Sequence, residues 1–442
     1  MNRFQRLWLD LNSSLWFVPG LMVLGALLAA YGLVHLDQTI GRAWTRDYPL
    51  LFGAGADGAR GMLTAIASSM ITVAGLIFSL TLSTLAQVSS QYTSRLLRNF
   101  MRNRPSQVVM GFFVSIFAYC LAVLRTIRGG DENAFIPSLA TAFALLLALV
   151  SIGMLIFFIH HIASSLQAAN IIGGVAAETE ATFHKLFPKE LGEAATPAEK
   201  AELADAGQLC WVPVAASASG YVQGIDEEDL LAFARETNAV VRMEQAIGSF
   251  VVQGSPLVSV ASYAPGALSL ADEVQQRLNL CYGIGRQRTI EQDAGFGLRQ
   301  LEDIAVKALS PGINDTSTAV MCIDWLGALL ALLAHRDLGS PVRAEGGQVR
   351  VLALRPDFAS YLRTAFDQVR TNAAKDEAIY QRLLAALRTV AQRTRRPAHR
   401  QALRQQADLA LAAAEKNLTA DYDLAPVRQQ YQRVLAALAR EG

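Results

Sequence analysis

Charge is scarce in this chain. Of 442 residues, 17% are charged, and 39 Lys and Arg against 38 Asp and Glu leave a formal net charge of +1. Such a balance lacks the basic excess that a nucleic-acid partner requires. Cysteine is rare too. Cys120, Cys210, Cys281 and Cys322 are widely spaced and form no CxxC pair, and none of the six histidines stands at metal-ligand spacing. No zinc or other metal site is expected from them, and the cysteines read as reduced, buried thiols. His160 and His161 are adjacent at a predicted membrane interface, where solvation explains them better than metal binding. Catalytic signatures are also missing: there is no GxSxG, HExxH, P-loop or dinucleotide-binding glycine pattern, and "GIGRQR" (283–288) lacks the third glycine. Acids beside Arg299 and Lys307 suit salt-bridged helix surfaces better than hydrolysis. No nucleophile–base pair can be placed, so neither an enzyme nor a cofactor is expected.

What the chain has is apolar sequence, 52% of the whole, and it is unevenly placed. Trp16 to Leu36, Met62 to Ala86, Val108 to Leu124 and Phe135 to Ile159 are each long enough for a hydrocarbon core of about 30 Å. After Ile162 no comparable run appears. The expected plan is an α-helical integral membrane protein: a four-helix transmembrane domain over 1–163, a connecting helix and linker over 164–208, and a cytoplasmic α+β region. The first run follows Arg3 and Arg6, but it is too long for a cleavable signal and reads as a permanent anchor.

Orientation follows from arginine. Arg95, Arg98, Arg102 and Arg104 follow the second run with no acid among them. Arg42, Arg46 and Arg60 are balanced by Asp37, Asp47 and Asp57, and Arg125 and Arg128 by Asp131 and Glu132. The positive-inside rule puts the unbalanced block in the cytoplasm, hence both termini there in a bacterial inner membrane. The block also suits contact with anionic lipid headgroups.

The cytoplasmic region divides in two. A small β domain is expected over 209–265, where "GYVQGID" and "GSFVVQGSPLVSV" alternate between glycines. The spacing Gly248, Val251, Gly254, Leu257 resembles the turn-and-strand repeat of barrel-sandwich domains, which implies a small β-barrel. No lysine lies between Lys200 and Lys307, so a swinging-arm carrier is excluded. A mainly helical domain is expected over 266–442. There Leu298, Leu301, Ile304, Ala305 and Leu309 make one apolar face. Ser310, Pro311 and Gly312 then turn the chain, and Asn314 or Asp315 caps the next helix. Glu302, Asp303, Asp315 and Asp324 around this corner can form a cation or ligand site. A capped αα-hairpin explains the same residues with no further chemistry. "QVRVLAL" (348–354) reads as one more strand, and the rest as helix.

Two blocks of the chain carry a family resemblance. "FSLTLSTLAQVSSQYTSRLLRNFMRNRPSQVVMGFFVSIFAYCLAVLRT" and "RTIEQDAGFGLRQLEDIAVKALSPGINDTSTAVMCIDWL" are similar to signature blocks of the bacterial predicted membrane protein family called domain of unknown function 2254. The tract "KALSPGIND" is its most specific part. The family usually reads proline after "GIND", where this chain has Thr316. Proline there is favourable but replaceable at a first helical turn, so the fold is expected to survive. The resemblance implies a membrane topology and an inner-membrane address, and no activity.

Function then rests on the second apolar run, which is unusually polar. Ser68 to Ser94 holds 11 serines and threonines. On a helix turning about 100° per residue, Ser68, Ser69, Thr72, Gly75, Leu76, Ser79, Ser83, Ala86, Gln87, Ser90, Thr93 and Ser94 share one side, and Leu76 alone among them is large and apolar. Such a stripe can face lipid, pack against another helix or line an aqueous path. The third case needs several copies of the chain, because four helices enclose too little space. The expected function is a homo-oligomeric inner-membrane channel, or conduit for an ion or small anion, with a cytoplasmic regulatory domain. Ser68, Thr72, Leu76, Ser79, Ser83, Gln87 and Ser90 would line it, and the arginine block would form its basic mouth. The alternative is a non-conducting sensor or scaffold whose cytoplasmic domain binds a partner. Membrane lipids and further copies of the chain are the other partners expected.

Overall fold

A computed structural model of the chain describes residues 16–40, 55–92, 104–129, 135–187, 193–194, 196–197, 210–263, 271–336 and 338–439. The chain divides into two compact units, Asn2–Gln167 and Ala168–Gly442.

The first unit holds helices α1 (Phe17–Ile40), α2 (Ala56–Gln91), α3 (Arg104–Leu124) and α4 (Ser138–Ser165). They coincide with the four apolar runs, though α2 begins and ends beyond its run. Helix α3 lies at the centre, against α1, α2 and α4. Its Phe113, Ile116, Tyr119 and Val123 are buried with Leu63, Met70 and Ile77 of α2 and Ala140, Ala144 and Phe158 of α4. Gly111 lets α3 approach α1, since a Cβ there would stand 2.9 Å from the Pro19 Cα. The Asp37 carboxylate, near the end of α1, accepts the N–H groups of Leu139 (3.0 Å) and Ala140 (3.1 Å). Those are orphan donors at the start of α4, so one side chain both caps α4 and ties it to α1. The apolar residues left outside are many. Leu21, Leu24, Leu28 and Tyr31 of α1 and Leu146, Leu149, Ile152 and Ile156 of α4 are exposed, as an apolar environment would have them.

The second unit begins with α5 (Ala168–Leu186), which packs on α8 (Ala294–Ala308) and α9 (Thr316–Ala334). Around that hairpin lie α10 (Phe358–Asn372), α11 (Glu377–Ala391), α12 (Pro397–Asn417) and α13 (Asp421–Ala439). Two shorter helices, α6 (Glu227–Glu236) and α7 (Asp272–Leu280), cover a sheet. Helix α9 is long and apolar enough to cross a membrane, which makes five such helices among the described residues rather than four. Yet Ala319, Cys322, Ile323, Leu326, Leu329, Leu330 and Leu333 of α9 are all buried inside its own unit.

The β region corrects the barrel expectation. Its strands are β1 (Glu193–Ala194), β2 (Val212–Ala215), β3 (Gly220–Ile225), β4 (Ala239–Met243), β5 (Phe250–Val251), β6 (Pro256–Ser262), β7 (Tyr282–Gly285), β8 (Val342–Glu345) and β9 (Gln348–Leu352). They form two open sheets: six strands ordered β1-β8-β9-β4-β6-β2, and three ordered β5-β3-β7. Neither closes into a barrel. The physical reason is where the partners come from. β4 takes β9 as a parallel neighbour, with Val241 opposite Val351, and β3 takes β7, so strands from 282–285 and 348–352 occupy the sides of β3 and β4 that closure would need. A core of Val222, Leu230, Phe233, Val241, Leu257, Val258, Val260 and Leu278 sits beneath α6 and α7.

The expected glycine turns do form. Gly248 has φ +85° and Gly254 φ +86°, conformations that glycine adopts without strain. Gly248 also meets the helical part. A Cβ there would fall 2.3 Å from an Asp293 carboxylate oxygen and 2.7 Å from the Arg288 guanidinium.

Candidate functional site

The polar stripe lies on the outside of its unit. Ala59, Leu63, Ile66, Met70, Ala74, Ile77, Thr84 and Val88 form the buried face of α2. At about 100° per residue, that face is centred roughly 160° from Thr72. Ser68, Thr72, Leu76, Ser79, Ser83, Gln87 and Ser90 are all exposed on the opposite side. Leu76 is 54% exposed and its neighbour Ile77 is 0% exposed. Among the described residues of its unit, no helix packs over the stripe. Exposed apolar residues flank it, with Leu80 on one side and Ile71, Phe78 and Leu82 on the other.

The hydroxyls behave in two ways. Ser69 donates to the Ala65 carbonyl, Thr72 to Ser68 and Ser90 to Gln87, at 2.8, 2.8 and 2.9 Å. The side chains of Ser79, Ser83 and Gln87 make no hydrogen bond with another described residue. Helix α2 has 36 residues, or about 54 Å at 1.5 Å each, so it outruns a hydrocarbon core of about 30 Å. Of the basic block, Arg104 is the first residue of α3 and is exposed; Arg95, Arg98 and Arg102 lie outside the described residues.

The signature turn is an elaborated helix cap. Asp315 accepts the Thr318 N–H at 3.0 Å and its hydroxyl at 2.5 Å, which starts α9. Those bonds from Thr318, the hydroxyl first, hold the Asp315 carboxyl below its usual range. Asn314 has φ +50°, the left-handed region that Asn tolerates better than most residues. The Asp315 N–H bonds back to the Ala308 carbonyl at 2.8 Å, and that of Asn314 to Ser310 at 2.9 Å. Pro311, Gly312 and Asn314 are exposed at the tip. Thr316, where the family usually has proline, donates its hydroxyl to Asp376, the residue that caps α11. Two helix starts are thus joined by one side chain. Reading the sequence locally did not find Asp376; its cap position ahead of "EAIY" was the available signal, while its partner lies 60 residues away.

The acids near this corner do not converge. Asp324 pairs with Arg382 on α11. Glu302, 1% exposed, pairs with Arg299 and accepts the Gln368 N–H at 3.2 Å. Burial pushes its carboxyl up to about 7, against the pull of Arg299. Among the described residues, no group of three or more His, Cys, Asp or Glu is placed to hold a metal ion.

The other half of the second signature block anchors the β region. Asp293 caps α8 through the Phe296 N–H at 2.9 Å and is paired with Arg288 at 2.7 Å. Gln292 accepts the Ile225 N–H at 2.8 Å. In the same helix, Gly297 leaves room for Thr179 of α5, whose hydroxyl would be 2.1 Å from a Cβ. These motif residues hold elements together.

The chain is 33% identical to an uncharacterized protein of Mycobacterium tuberculosis (strain CDC 1551) over 449 aligned positions, all of this chain and 84% of that relative. An uncharacterized protein of Mycobacterium bovis matches with the same identity and coverage. No solved structure matches the chain. The family model described as "Predicted membrane protein (DUF2254)" matches residues 12–389. With that span, which takes in the apolar helices, the outward stripe of α2 and the capped corner, the chain belongs to this family of membrane proteins.

Proposed function

We propose that the protein is a homo-oligomeric conduit of the bacterial inner membrane, lined by the polar face of α2 and regulated by its cytoplasmic unit. The observation that carries this reading is the placement of the stripe. Seven polar side chains, Ser68, Ser69, Thr72, Ser79, Ser83, Gln87 and Ser90, cost little in water and gain nothing from lipid, and they lie opposite the face that α2 buries in its own chain. Several copies with α2 turned inward would give those side chains a common aqueous axis. Four spans, α1 to α4, cross the bilayer in this reading. α9 stays in the cytoplasm because its apolar side chains are already covered by α5, α8 and α11. The arginine count then puts both termini in the cytoplasm. Leu76 is the constriction, since water leaves a narrow apolar neck and ions cannot follow without shedding hydration. Arg95, Arg98, Arg102 and Arg104 raise anion concentration at the cytoplasmic mouth, which favours a small anion. No catalytic step and no cofactor enters this reading.

The alternative is a non-conducting scaffold. The back-bonded hydroxyls of Ser69, Thr72 and Ser90 favour it, because they also suit dry contact between α2 helices of neighbouring copies. Ion flux into liposomes reconstituted with the full chain separates the two. Leu76→Ser should leak more than the parent, and Ile77→Ser, on the buried face, should weaken packing without leak. If neither variant changes flux, or if only Ile77→Ser leaks, the stripe is an interface between copies and the scaffold replaces the conduit.

A further inference from the structure

The cytoplasmic unit carries an apolar surface that its own core does not use. Phe250, Val252 and Leu280 are 56%, 57% and 61% exposed, while Val222, Val251, Leu257, Val258 and Val260 nearby are at most 1% exposed. Phe250 stacks edge-on against Tyr221 at 5.1 Å. Val251 points into the core, so alternation along β5 sends Phe250 and Val252 outward together. Leu280 ends α7, next to Asn279, whose amide oxygen accepts the Ser217 N–H at 2.8 Å.

The strand and turn segments of this surface are tied together by hydrogen bonds and carry no charge. The Gly254 N–H bonds to Ala216 and the Ala216 N–H to Ser255, both at 2.9 Å. The Gln253 N–H bonds to the Ser219 hydroxyl at 2.8 Å, and the Asn279 amide donates to Ala215 at 3.0 Å. No charged residue occurs from Ala206 to Ile225 or from Ala246 to Ala271, in a chain that is 17% charged. These two segments carry no ion whose water a low-dielectric layer would strip, and several backbone donors at the tip are already bonded internally. Arg286 is exposed one residue beyond Gly285, the partner of Tyr221 in the sheet, so a cation stands beside the apolar tip.

The geometry points to a lipid surface as the occupant: the tip formed by Phe250, Val252 and Leu280 inserts into the headgroup–acyl boundary, with Arg286 on anionic headgroups. A bilayer is favoured over a soluble partner because the chain is a membrane protein and only Leu166 and Gln167 separate α4 from α5. Connectivity therefore keeps this unit beside the bilayer at a high effective concentration, where three apolar side chains and one cation suffice. The inference rests on membrane attachment and stands whether or not α2 conducts.

The test uses the full chain in nanodiscs of phosphatidylcholine with phosphatidylglycerol. Cys120, Cys281 and Cys322 are buried, so replacing the exposed Cys210 by Ser leaves an introduced cysteine as the reactive site among the described residues. Val252→Cys or, separately, Leu280→Cys is labelled with an environment-sensitive fluorophore. Insertion is expected to shift emission to shorter wavelength, with loss of intensity on doxyl-labelled lipid and protection from aqueous iodide. Adding Phe250→Asp should reverse all three. A label quenched by iodide and not by doxyl lipid overturns the proposal. A label protected from both also overturns it, in favour of a second copy or another protein. Ion flux measured on the same variants fails or persists separately, so it does not bear on this outcome.

Discussion

Helices α2 and α9 are nearly equal in hydropathy, and each is long enough to cross a bilayer, yet they spend their apolar residues in opposite ways. In the most apolar window of α2, 33% of residues are buried; in that of α9, 56% are. Helix α2 hides one face in its own unit and exposes a ridge of hydroxyls flanked by Ile71, Leu80 and Leu82. Helix α9 exposes only Ser317, Trp325 and Ala328, because α5, α8 and α11 close around it. Hydropathy measures how much apolar surface a helix has. It does not say whether lipid or protein covers that surface, which depends on the partners the rest of the chain supplies.

The contrast is sharpest for charge. Leu330 of α9 is 0% exposed, and Leu330→Asp would bury an unpaired carboxylate. The expected loss is more than about 4 kcal/mol, a large part of a domain's stability. The unit formed by Ala168–Gly442 should fail to unfold cooperatively in a thermal melt of the detergent-solubilised chain. On α2, Leu82→Ser alters an exposed flank and should cost less than about 1 kcal/mol. Equal losses in the two variants would mean that α9 and α2 meet their surroundings in the same way, and the comparison would fail.

Polar groups sharpen it from the other side. The stripe hydroxyls of α2, among them Ser79 and Ser83, are outside, whereas Glu302 is inside, its carboxyl raised from 4.5 to about 7 by burial. A carboxyl raised in the folded state binds protons there that the unfolded chain has lost. Its ionisation therefore erodes stability as pH climbs from about 4.5 to about 7, by up to about 3 kcal/mol. Glu302→Gln can still accept the Gln368 N–H, and Arg299 is partly solvated. The variant is expected to be more stable than the parent at pH 8 and no more stable at pH 4.5, as read from denaturant midpoints. A constant difference across that range would show that Glu302 does not titrate within it.

What the sequence made legible follows the range of the forces involved. The apolar helices α1 to α4 could be read because each needs only its own composition. The corner from Ser310 to Asp315 could be read because a cap acts over three residues. Gly248 and Gly254 were readable as turns for the same reason, yet the barrel inferred from them was not formed. Closure depends on which strand takes the free side of β4, and β9, about 110 residues further along the chain, takes it. The polar stripe was legible as a stripe from helical spacing alone. That it faces outward depended on α3 covering Ile77 and Met70, which no local pattern records.

The smallest expected effect tests how the two helices begin. Helix α2 starts at Gly55 with no side-chain cap, as a helix held by packing against α3 can. Helix α9 starts at Asp315, whose carboxylate takes both donors of Thr318. Asp315→Ala leaves the Thr318 N–H without its acceptor and should cost about 1 kcal/mol. The carboxyl is held below its usual value, so the cap's contribution is present at neutral pH and above. It is lost as pH falls below about 4, through the lowered value. The difference between parent and Asp315→Ala should therefore be full at pH 7 and shrink toward pH 3. Thr316→Pro, which restores the family's usual residue, would remove the hydroxyl that reaches Asp376 while suiting the first helical turn. It should shift stability by less than the cap does. If Asp315→Ala leaves stability unchanged but abolishes ion flux, the corner acts as a ligand site and its role as a cap is secondary. If it costs stability with the stated pH dependence and flux falls only in proportion to folded protein, Asp315 serves α9 as a cap.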